Sequence, residues 1–340
     1  MSLSGLAGFL AAYVRSMRLY YAFITGVAGW LGVSYYQYVA GSPGLIARST
    51  IARTVEVPTP DEKKLVILVI LFLSWGINQV INDYLGLAED RINAPRRPMV
   101  TGELDPDKAL LLTGFLLAAA GLVTWLYLEP VALIPLGLGI LLNVVYEHAK
   151  AWGILANVVF GLMISMCCLF GYFACGPTGT YFLTRSRISV LVIVAVMNGL
   201  MTFYTYFKDY AGDKAAGKRT VVVRSGLEKS RLIAVPSAFL PSALFVVLYF
   251  GFRTIEIDLN RVFVILGLLT VFLEVWTGVL YFRNPRGRMT YDSLITNFRA
   301  CACGQAALLA LFNPELGMML FIFSYVFIGF LFSLHSDAKA

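Results

Sequence analysis

Residues 64–85 read KLVILVILFLSWGINQVINDYL, an apolar stretch that carries an Asn-Asp pair close to its end. About 20 consecutive, mainly apolar residues suffice for a helix to cross a bilayer. Between Lys64 and Asp83 the stretch contains no charged side chain, so no charge inside it has to be solvated. It therefore predicts a transmembrane helix that ends at Asn82 and Asp83.

The rest of the chain has the same character, with 59% hydrophobic and only 14% charged residues. A soluble domain carries about 25% charged residues, so these charges are too few to cover a water-facing surface. Asp105 and Pro106 predict a helix start, with Asp as the N-cap and Pro at the first helical position. Because no polar linker divides the sequence, we predict one membrane domain over 1–340, an all-α, polytopic membrane helix bundle of about nine transmembrane helices. The predicted spans lie near 19–39, 64–85, 109–127, 131–148, 153–174, 188–207, 232–252, 260–282 and 305–334. The last is either one long span or a broken one, since Asn313 and Pro314 interrupt it.

The net charge of +7 is explained by membrane topology, and we predict no nucleic-acid partner. Lys and Arg concentrate in cytoplasmic loops of membrane proteins. The N-terminus and the loops after even-numbered spans hold most of them, so this side is predicted to be cytoplasmic, with the C-terminus opposite after nine spans. The expected location is the plasma (inner) membrane of a bacterium or archaeon. The long loop 41–63 on the other side has no predicted role.

A short internal repeat suggests two halves, roughly 1–150 and 151–340. Span two ends in Asp-Tyr-Leu-Gly at 83–86, and span six ends in Asp-Tyr-Ala-Gly at 209–212. Both copies lie at the cytoplasmic end of their spans, four spans apart. This equivalence favours two pseudo-repeats that face one cavity.

Carboxylates gather at these two span ends. Asp90 lies seven residues beyond Asp83, and Asp213 lies four beyond Asp209, so each pair can share a helix face. An uncompensated carboxylate at membrane depth costs at least ~2.5 kcal/mol, so such groups usually face a cavity and a partner.

This arrangement suits a diphosphate bound through Mg²⁺. Mg²⁺ takes oxygen ligands from one or two carboxylates together with substrate phosphates, and Lys and Arg can neutralise the remaining phosphate charge. The tail of such a ligand would lie in the hydrophobic interior. The alternative is that these charges are ordinary solvated helix ends. The basic candidates are Arg96, Arg97, Lys150, Lys208, Lys218 and Arg219.

The segments NDYLGLAEDRINAPRRPMVTGEL (82–104) and KDYAGDKAAGKRT (208–220) resemble the two signature loops of the UbiA superfamily of intramembrane prenyltransferases. The similarity runs from Arg18 to about span eight. Further positions that resemble the family pattern are Tyr146, Lys150, Gly153, Asn157, Gly161, Tyr204 and Lys208.

The resemblance implies nine helices around a central cavity, in which a prenyl diphosphate binds at the cytoplasmic end through two Mg²⁺ ions. It implies Asp83, Asp90, Asp209 and Asp213 as the catalytic, metal-binding carboxylates, joined by Asn82 as a metal ligand. The implied substrate contacts are Asn82, Arg97, Tyr146, Lys150, Asn157, Tyr204, Lys208 and Lys218. The implied partners are a prenyl diphosphate, a hydrophobic acceptor and the lipid bilayer.

One position departs from the family pattern. The first motif of the family commonly reads Asn-Asp-x-x-Asp-x-x-x-Asp, and its middle Asp corresponds to Gly86 here. The first metal site therefore lacks one expected carboxylate, whereas the second motif, at Asp209 and Asp213, is intact.

The implied activity is transfer of the prenyl group to an acceptor after Mg²⁺-dependent ionisation of the diphosphate. A UbiA-type terpene cyclase, which needs no acceptor, is the first alternative, and Gly86 keeps it open. A transporter is the second, although transporter sites lie near the bilayer midplane rather than at span ends. No local motif identifies the acceptor or the length of the prenyl chain.

Overall fold

A computed structural model describes residues 3–41, 57–179, 183–287 and 289–334. The long loop between the first two spans therefore lies largely outside the described residues. The described part is helical throughout, apart from turns and one isolated bridge between Gly153 and Thr220, which confirms the predicted all-α class. The α-helices are α1 (Leu3–Met17), α2 (Ala22–Ala40), α3 (Asp61–Leu85), α4 (Leu87–Asn93), α5 (Pro98–Thr101), α6 (Pro106–Leu126), α7 (Leu133–Ala149), α8 (Ile154–Ala174), α9 (Arg185–Ala215), α10 (Val221–Ser225), α11 (Leu227–Ser237), α12 (Leu240–Val246), α13 (Arg261–Arg283), α14 (Met289–Leu309) and α15 (Pro314–Leu334).

Within the described ranges, eight helical segments are long and apolar enough to cross a membrane, by length and composition. Two more helices of similar length, α2 and α14, complete the bundle. These apolar helices make the chain an integral membrane protein.

The predicted helix start at Asp105 is also confirmed. Its side chain accepts hydrogen bonds from the backbone N–H groups of Asp107 and Lys108, each at 3.1 Å.

The end of the chain differs in part from the prediction. The break at Asn313 and Pro314 is confirmed, since α14 ends at Leu309 and α15 begins at Pro314, but α14 begins at Met289, well before the predicted span. Most of helix α14 was not predicted, because Asp292, Arg299 and Gln305 interrupt its apolar sequence. Most of its residues are nevertheless buried among other helices.

The additional helix corrects the predicted topology. Near the end of α15, Phe332 packs against Tyr21, which directly precedes α2, with ring centroids 5.3 Å apart. Phe332 also lies 5.6 Å from Tyr291 in the first turn of α14. The end of α15 therefore returns to the side on which α2 begins, and the expectation that the chain ends on the opposite side is wrong.

Helix α8 lies at the centre of the bundle, where glycines allow close contact between helices. A Cβ atom at Gly171 would lie 2.1 Å from the carbonyl oxygen of Gly29 in α2. A Cβ atom at Gly161 would lie 2.1 Å from the carbonyl oxygen of Ala195 in α9. Small residues at such crossings let backbones approach within membranes. The close packing of α8 holds α2 and α9 in place beside it.

Gly171→Val is expected to lower the midpoint of thermal unfolding in detergent. The new side chain would meet backbone atoms, which cannot rotate away, and overpacking of this kind costs about 1–3 kcal/mol or more. The matched control is Gly114→Val in α6, where an added Cβ would have no described neighbour within 4 Å. Equal unfolding midpoints for the two variants would contradict the packing at α8.

Candidate active site

A cavity of about 370 Å³ lies between α3, α6, α7, α8 and α9. Its lining includes Asn82 at one end of α3 and Val69 thirteen residues away, a separation of about 20 Å along a helix. One end is lined by carboxylates and cations, and the remainder by aliphatic and aromatic side chains. The cavity therefore suits an amphipathic ligand with a charged head and a long apolar tail.

The first carboxylate group lies where α3 gives way to α4. Asp83 is 1% exposed; it forms an ion pair with Arg18 and accepts a hydrogen bond of 3.1 Å from the amide of Gln79. Arg97 joins this carboxylate to the next one, since its guanidinium lies 3.3 Å from Asp83 and also forms an ion pair with Asp90. Burial raises the pKa of Asp90 to about 6, although the Arg97 guanidinium opposes the shift.

The second carboxylate group lies at the end of α9. Asp209 forms an ion pair with its neighbour Lys208. Asp213 is 2% exposed, and its Oδ2 accepts no hydrogen bond from any described residue. The nearby charges that act on Asp213 include Asp209, Lys150, Glu89 and Glu147. A buried carboxylate oxygen without a donor, among several negative charges, favours a cation at this position.

Asn93, the last residue of α4, fixes the two groups relative to each other. Its side-chain oxygen accepts a hydrogen bond of 2.8 Å from the backbone N–H of Gly212, and its NH₂ group donates to the carbonyl of Asp209 at 3.1 Å. A Cβ atom at Gly212 would lie 2.3 Å from the Asn93 side chain. The glycine of the second repeat copy is thus the residue that admits Asn93.

A further carboxylate comes from α7. Glu147 is 4% exposed, and both of its oxygens lie 2.8 Å from the ammonium group of Lys150. That ammonium group also lies 5.1 Å from the centre of the Tyr146 ring. At the rim, Lys218 pairs with Glu89 at 3.2 Å and donates to the carbonyl of Glu147 at 3.1 Å. The segment after α9 therefore closes over the end of α7.

Most of the residues that the sequence indicated line this cavity. They are Asn82, Asp83, Asp90, Arg97, Tyr146, Lys150, Lys208, Asp209 and Asp213. Five others do not, namely Arg96, Asn157, Tyr204, Lys218 and Arg219. Asn157 donates to the carbonyl of Gly199 at 3.0 Å, and Tyr204 donates to the carbonyl of Ala234 at 2.6 Å, so both hold helices together. Lys218 lies at the rim, as described above.

Four residues of the site were missed by sequence reasoning: Arg18, Gln79, Asn93 and Glu147. Gln79 lies one turn before Asp83, and Glu147 lies three residues before Lys150 within an apolar span, so spacing could have identified these two. Arg18 and Asn93 reach the site only through the fold. Arg18 has a φ of 47°, a left-handed conformation at the turn between α1 and α2.

The donor set fits Mg²⁺ on the basis of these contacts. Within the described ranges, no three carboxylate, imidazole or thiol side chains are grouped closely enough to hold a metal ion alone. Mg²⁺ does not need such a cage, since one or two carboxylates with phosphate oxygens and water suffice. Oxygens free of hydrogen bonds from described residues remain on Asn82, Asp83 and Asp213. These buried oxygens are available as metal ligands.

The sequence matches one known protein family over most of its length. The family model described as the UbiA prenyltransferase family matches residues 40–284. Digeranylgeranylglyceryl phosphate synthase of Thermococcus sibiricus is 28% identical over 179 residues, which are 52% of this chain and 61% of that protein. The same enzyme of Pyrococcus horikoshii is 27% identical over 242 residues, which are 68% of this chain and 77% of that protein. The match thus spans less than two thirds of the first relative.

A solved structure shares the fold. A UbiA homolog from Archaeoglobus fulgidus, bound to DMAPP and Mg²⁺, superposes with a TM-score of 0.57 at 16% identity, covering 87% of this chain and 98% of that one. Because the identity is low, this likeness concerns the fold alone. The family match covers most of the sequence and includes both carboxylate groups, so the chain belongs to the UbiA prenyltransferase family.

Proposed function

We propose that this protein is a Mg²⁺-dependent prenyltransferase that moves the prenyl group of an allylic prenyl diphosphate to a lipid acceptor that carries a glyceryl phosphate. The observation that carries the proposal is that two carboxylate groups and several cations lie together at one end of a long apolar cavity. The acceptor class is supported by relatives named digeranylgeranylglyceryl phosphate synthase. DMAPP and Mg²⁺ are bound in the solved homolog.

Asp83, Asp90, Asp209 and Asp213, with Asn82, would hold Mg²⁺. When bound, the ion supplies neutralisation of the negative charge that builds on the departing diphosphate. Lys150, Lys208 and Arg97 line the same end of the cavity and would bind diphosphate oxygens directly. Their contribution is electrostatic and fixed in advance of the reaction.

The reaction exchanges one carbon–oxygen bond for another. The bond between the allylic carbon and the diphosphate breaks, and the pair of electrons leaves with the diphosphate. A hydroxyl oxygen of the acceptor then bonds to that carbon, and its proton passes to the departed diphosphate. The rings of Tyr146 and Phe160, with centroids 5.2 Å apart, line the cavity, and aromatic faces can stabilise the allylic cation. The apolar walls exclude water, which would otherwise capture it.

The apolar part of the cavity would receive the prenyl tail. Ala120 of α6 and Gly139 of α7 line it at a distance from the carboxylates. We propose that the charged end faces the cytoplasm at the plasma membrane, since most Lys and Arg residues lie on that side.

Gly139→Phe is expected to reduce turnover of geranylgeranyl diphosphate at least tenfold while leaving dimethylallyl diphosphate turnover within about threefold of the original. The phenyl ring would fill the space that a long tail needs, and a short tail does not reach it. The matched control is Gly137→Phe, which has no described neighbour within 4 Å of an added Cβ. Equal losses for both diphosphates would mean that the tail lies elsewhere.

The function itself is tested with the purified protein in nanodiscs, Mg²⁺ and radiolabelled geranylgeranyl diphosphate. Geranylgeranylglyceryl phosphate and an aromatic acid are offered as acceptors in separate reactions. We expect label in a new lipid only with the glyceryl phosphate acceptor, and none after chelation with EDTA. A cyclised product without any acceptor would replace the proposal with the terpene cyclase, which the relatives do not support. An adduct only with the aromatic acid would retain the transferase and change its acceptor.

A further inference from the structure

Glu147 is a buried carboxylate that belongs to neither copy of the repeat. In the second copy of the repeat, Asp209 is followed four residues later by Asp213. In the first copy, Asp83 is followed four residues later by Leu87, and the intervening Gly86 has no side chain. The first copy therefore offers fewer carboxylates from its own helix than the second.

Glu147 belongs to a different helix, α7, and lies beside Gly86, where the first copy has no side chain. Its Oε2 is 3.9 Å from the position that a Cβ atom at Gly86 would occupy. Gly86 and Glu147 both line the cavity, together with the two carboxylate groups. A side chain at residue 86 would thus extend towards space that the Glu147 carboxylate already borders.

The surroundings of Glu147 favour a cation. Glu147 and Glu89 both act electrostatically on Asp213, whose Oδ2 is buried and accepts no hydrogen bond from described residues. The Lys150 ammonium group, within 2.8 Å of both Glu147 oxygens, balances one of these charges. Lys150 also lines the diphosphate end of the cavity, where an arriving diphosphate would compete for it.

We propose that Glu147 is a metal-binding carboxylate that acts in place of a side chain at residue 86, with Lys150 as its ion-pair partner when no metal is bound. The proposal rests on the proposed function, because it assigns a ligand to the Mg²⁺ of that reaction. It also explains how a glycine is accommodated at the end of α3 without loss of a carboxylate from the site. In the loaded protein, Lys150 would turn from Glu147 to the diphosphate.

The test is a titration of the full-length, detergent-purified protein with Mn²⁺, followed by electron paramagnetic resonance in the absence of any diphosphate. Glu147→Gln is expected to weaken Mn²⁺ binding roughly tenfold or more, since even the outer partners of metal ligands change affinity by about 10–100-fold. Glu129→Gln is the matched control, because Glu129 also forms an ion pair, with Lys63 at 3.1 Å, but does not line the cavity. Size-exclusion profiles and unfolding midpoints establish that each variant is folded.

Two further variants distinguish a metal ligand from a mere partner of Lys150. Lys150→Met removes the competing ammonium group, so Mn²⁺ is expected to bind as tightly as to the original protein or more tightly. The double variant Gly86→Asp with Glu147→Gln returns a carboxylate to the same place from α3, and it is expected to recover at least half of the lost binding free energy, as judged by a double-mutant cycle. If Glu147 served only Lys150, the added Asp would restore nothing.

The outcomes separate this inference from the proposed function. Failure of the original protein to bind Mn²⁺ would count against the Mg²⁺-dependent function and the inference together. Normal Mn²⁺ binding by both the original protein and Glu147→Gln would overturn the inference alone. Weaker binding by Glu147→Gln without recovery in the double variant would also overturn it, since the carboxylate would then act through Lys150.

Discussion

Asp213→Asn is expected to lower kcat at least a hundredfold while the protein remains folded. Asp213 is buried, its Oδ2 accepts no hydrogen bond from described residues, and the charges around it include Asp209, Glu89 and Glu147. Removing one negative charge from this group relieves repulsion and keeps the shape of the side chain, so the bundle should not unpack. Loss of one preorganised electrostatic contact to a reacting group costs about 10²–10³ in rate.

The measurement is single-turnover transfer of radiolabel, together with thermal unfolding in the same detergent. Asp258→Asn serves as the control, since Asp258 is exposed and lies in the connection between α12 and α13, away from the cavity. We expect the control to keep its rate within about twofold. A rate for Asp213→Asn close to that of the original protein would remove Asp213 from the proposed catalytic group.

Arg97→Met is expected to reduce kcat/KM about a hundredfold and to make activity more sensitive to acid. Arg97 contacts both Asp83 and Asp90, and it also lines the diphosphate end of the cavity. The variant therefore loses a contact to the substrate and a link between two buried carboxylates. Removing one partner of a buried ion pair destabilises the protein, because the charge of the other partner remains uncompensated.

The acid sensitivity follows from Asp90. Burial raises its pKa to about 6, while Arg97 pulls the pKa down, so removal of Arg97 should move the pKa higher still. The carboxylate must be ionised to bind a cation. Activity of the original protein should thus be present above pH 6 and fall as the pH drops through that value, and the fall should begin at higher pH in the variant.

A pH–rate profile from pH 5 to 8 checks this expectation, with Arg91→Met as the control. Arg91 is exposed on α4 and does not line the cavity, so its profile should match that of the original protein. The profile of Arg97→Lys should lie between those of the original protein and Arg97→Met. Lysine keeps the positive charge, but it cannot contact two carboxylates as a guanidinium does. An unchanged profile in Arg97→Met would show that Asp90 does not depend on Arg97.

The sequence alone determined the class of fold and most of the charged site. Apolar stretches of membrane length are decisive because no other structure satisfies the backbone of a single apolar segment within a bilayer. Carboxylates within such a chain are expensive, so Asp83, Asp90, Asp209 and Asp213 stood out against the background without knowledge of the fold. The helix start at Asp105 was also predictable, because an N-cap is a local interaction between residues close in sequence.

Only the tertiary structure decided how these elements meet. Helix α14 could not be recognised from hydropathy, since its polar residues are buried against other helices rather than exposed to lipid, and this error placed the end of the chain on the wrong side. Tyr204 and Asn157 matched a pattern, but the groups they contact are backbone carbonyls of neighbouring helices. Arg18, Asn93 and Glu147 entered the site because α2, α4 and α7 converge there, and contacts between residues distant in sequence depend on helix packing, which hydropathy does not encode.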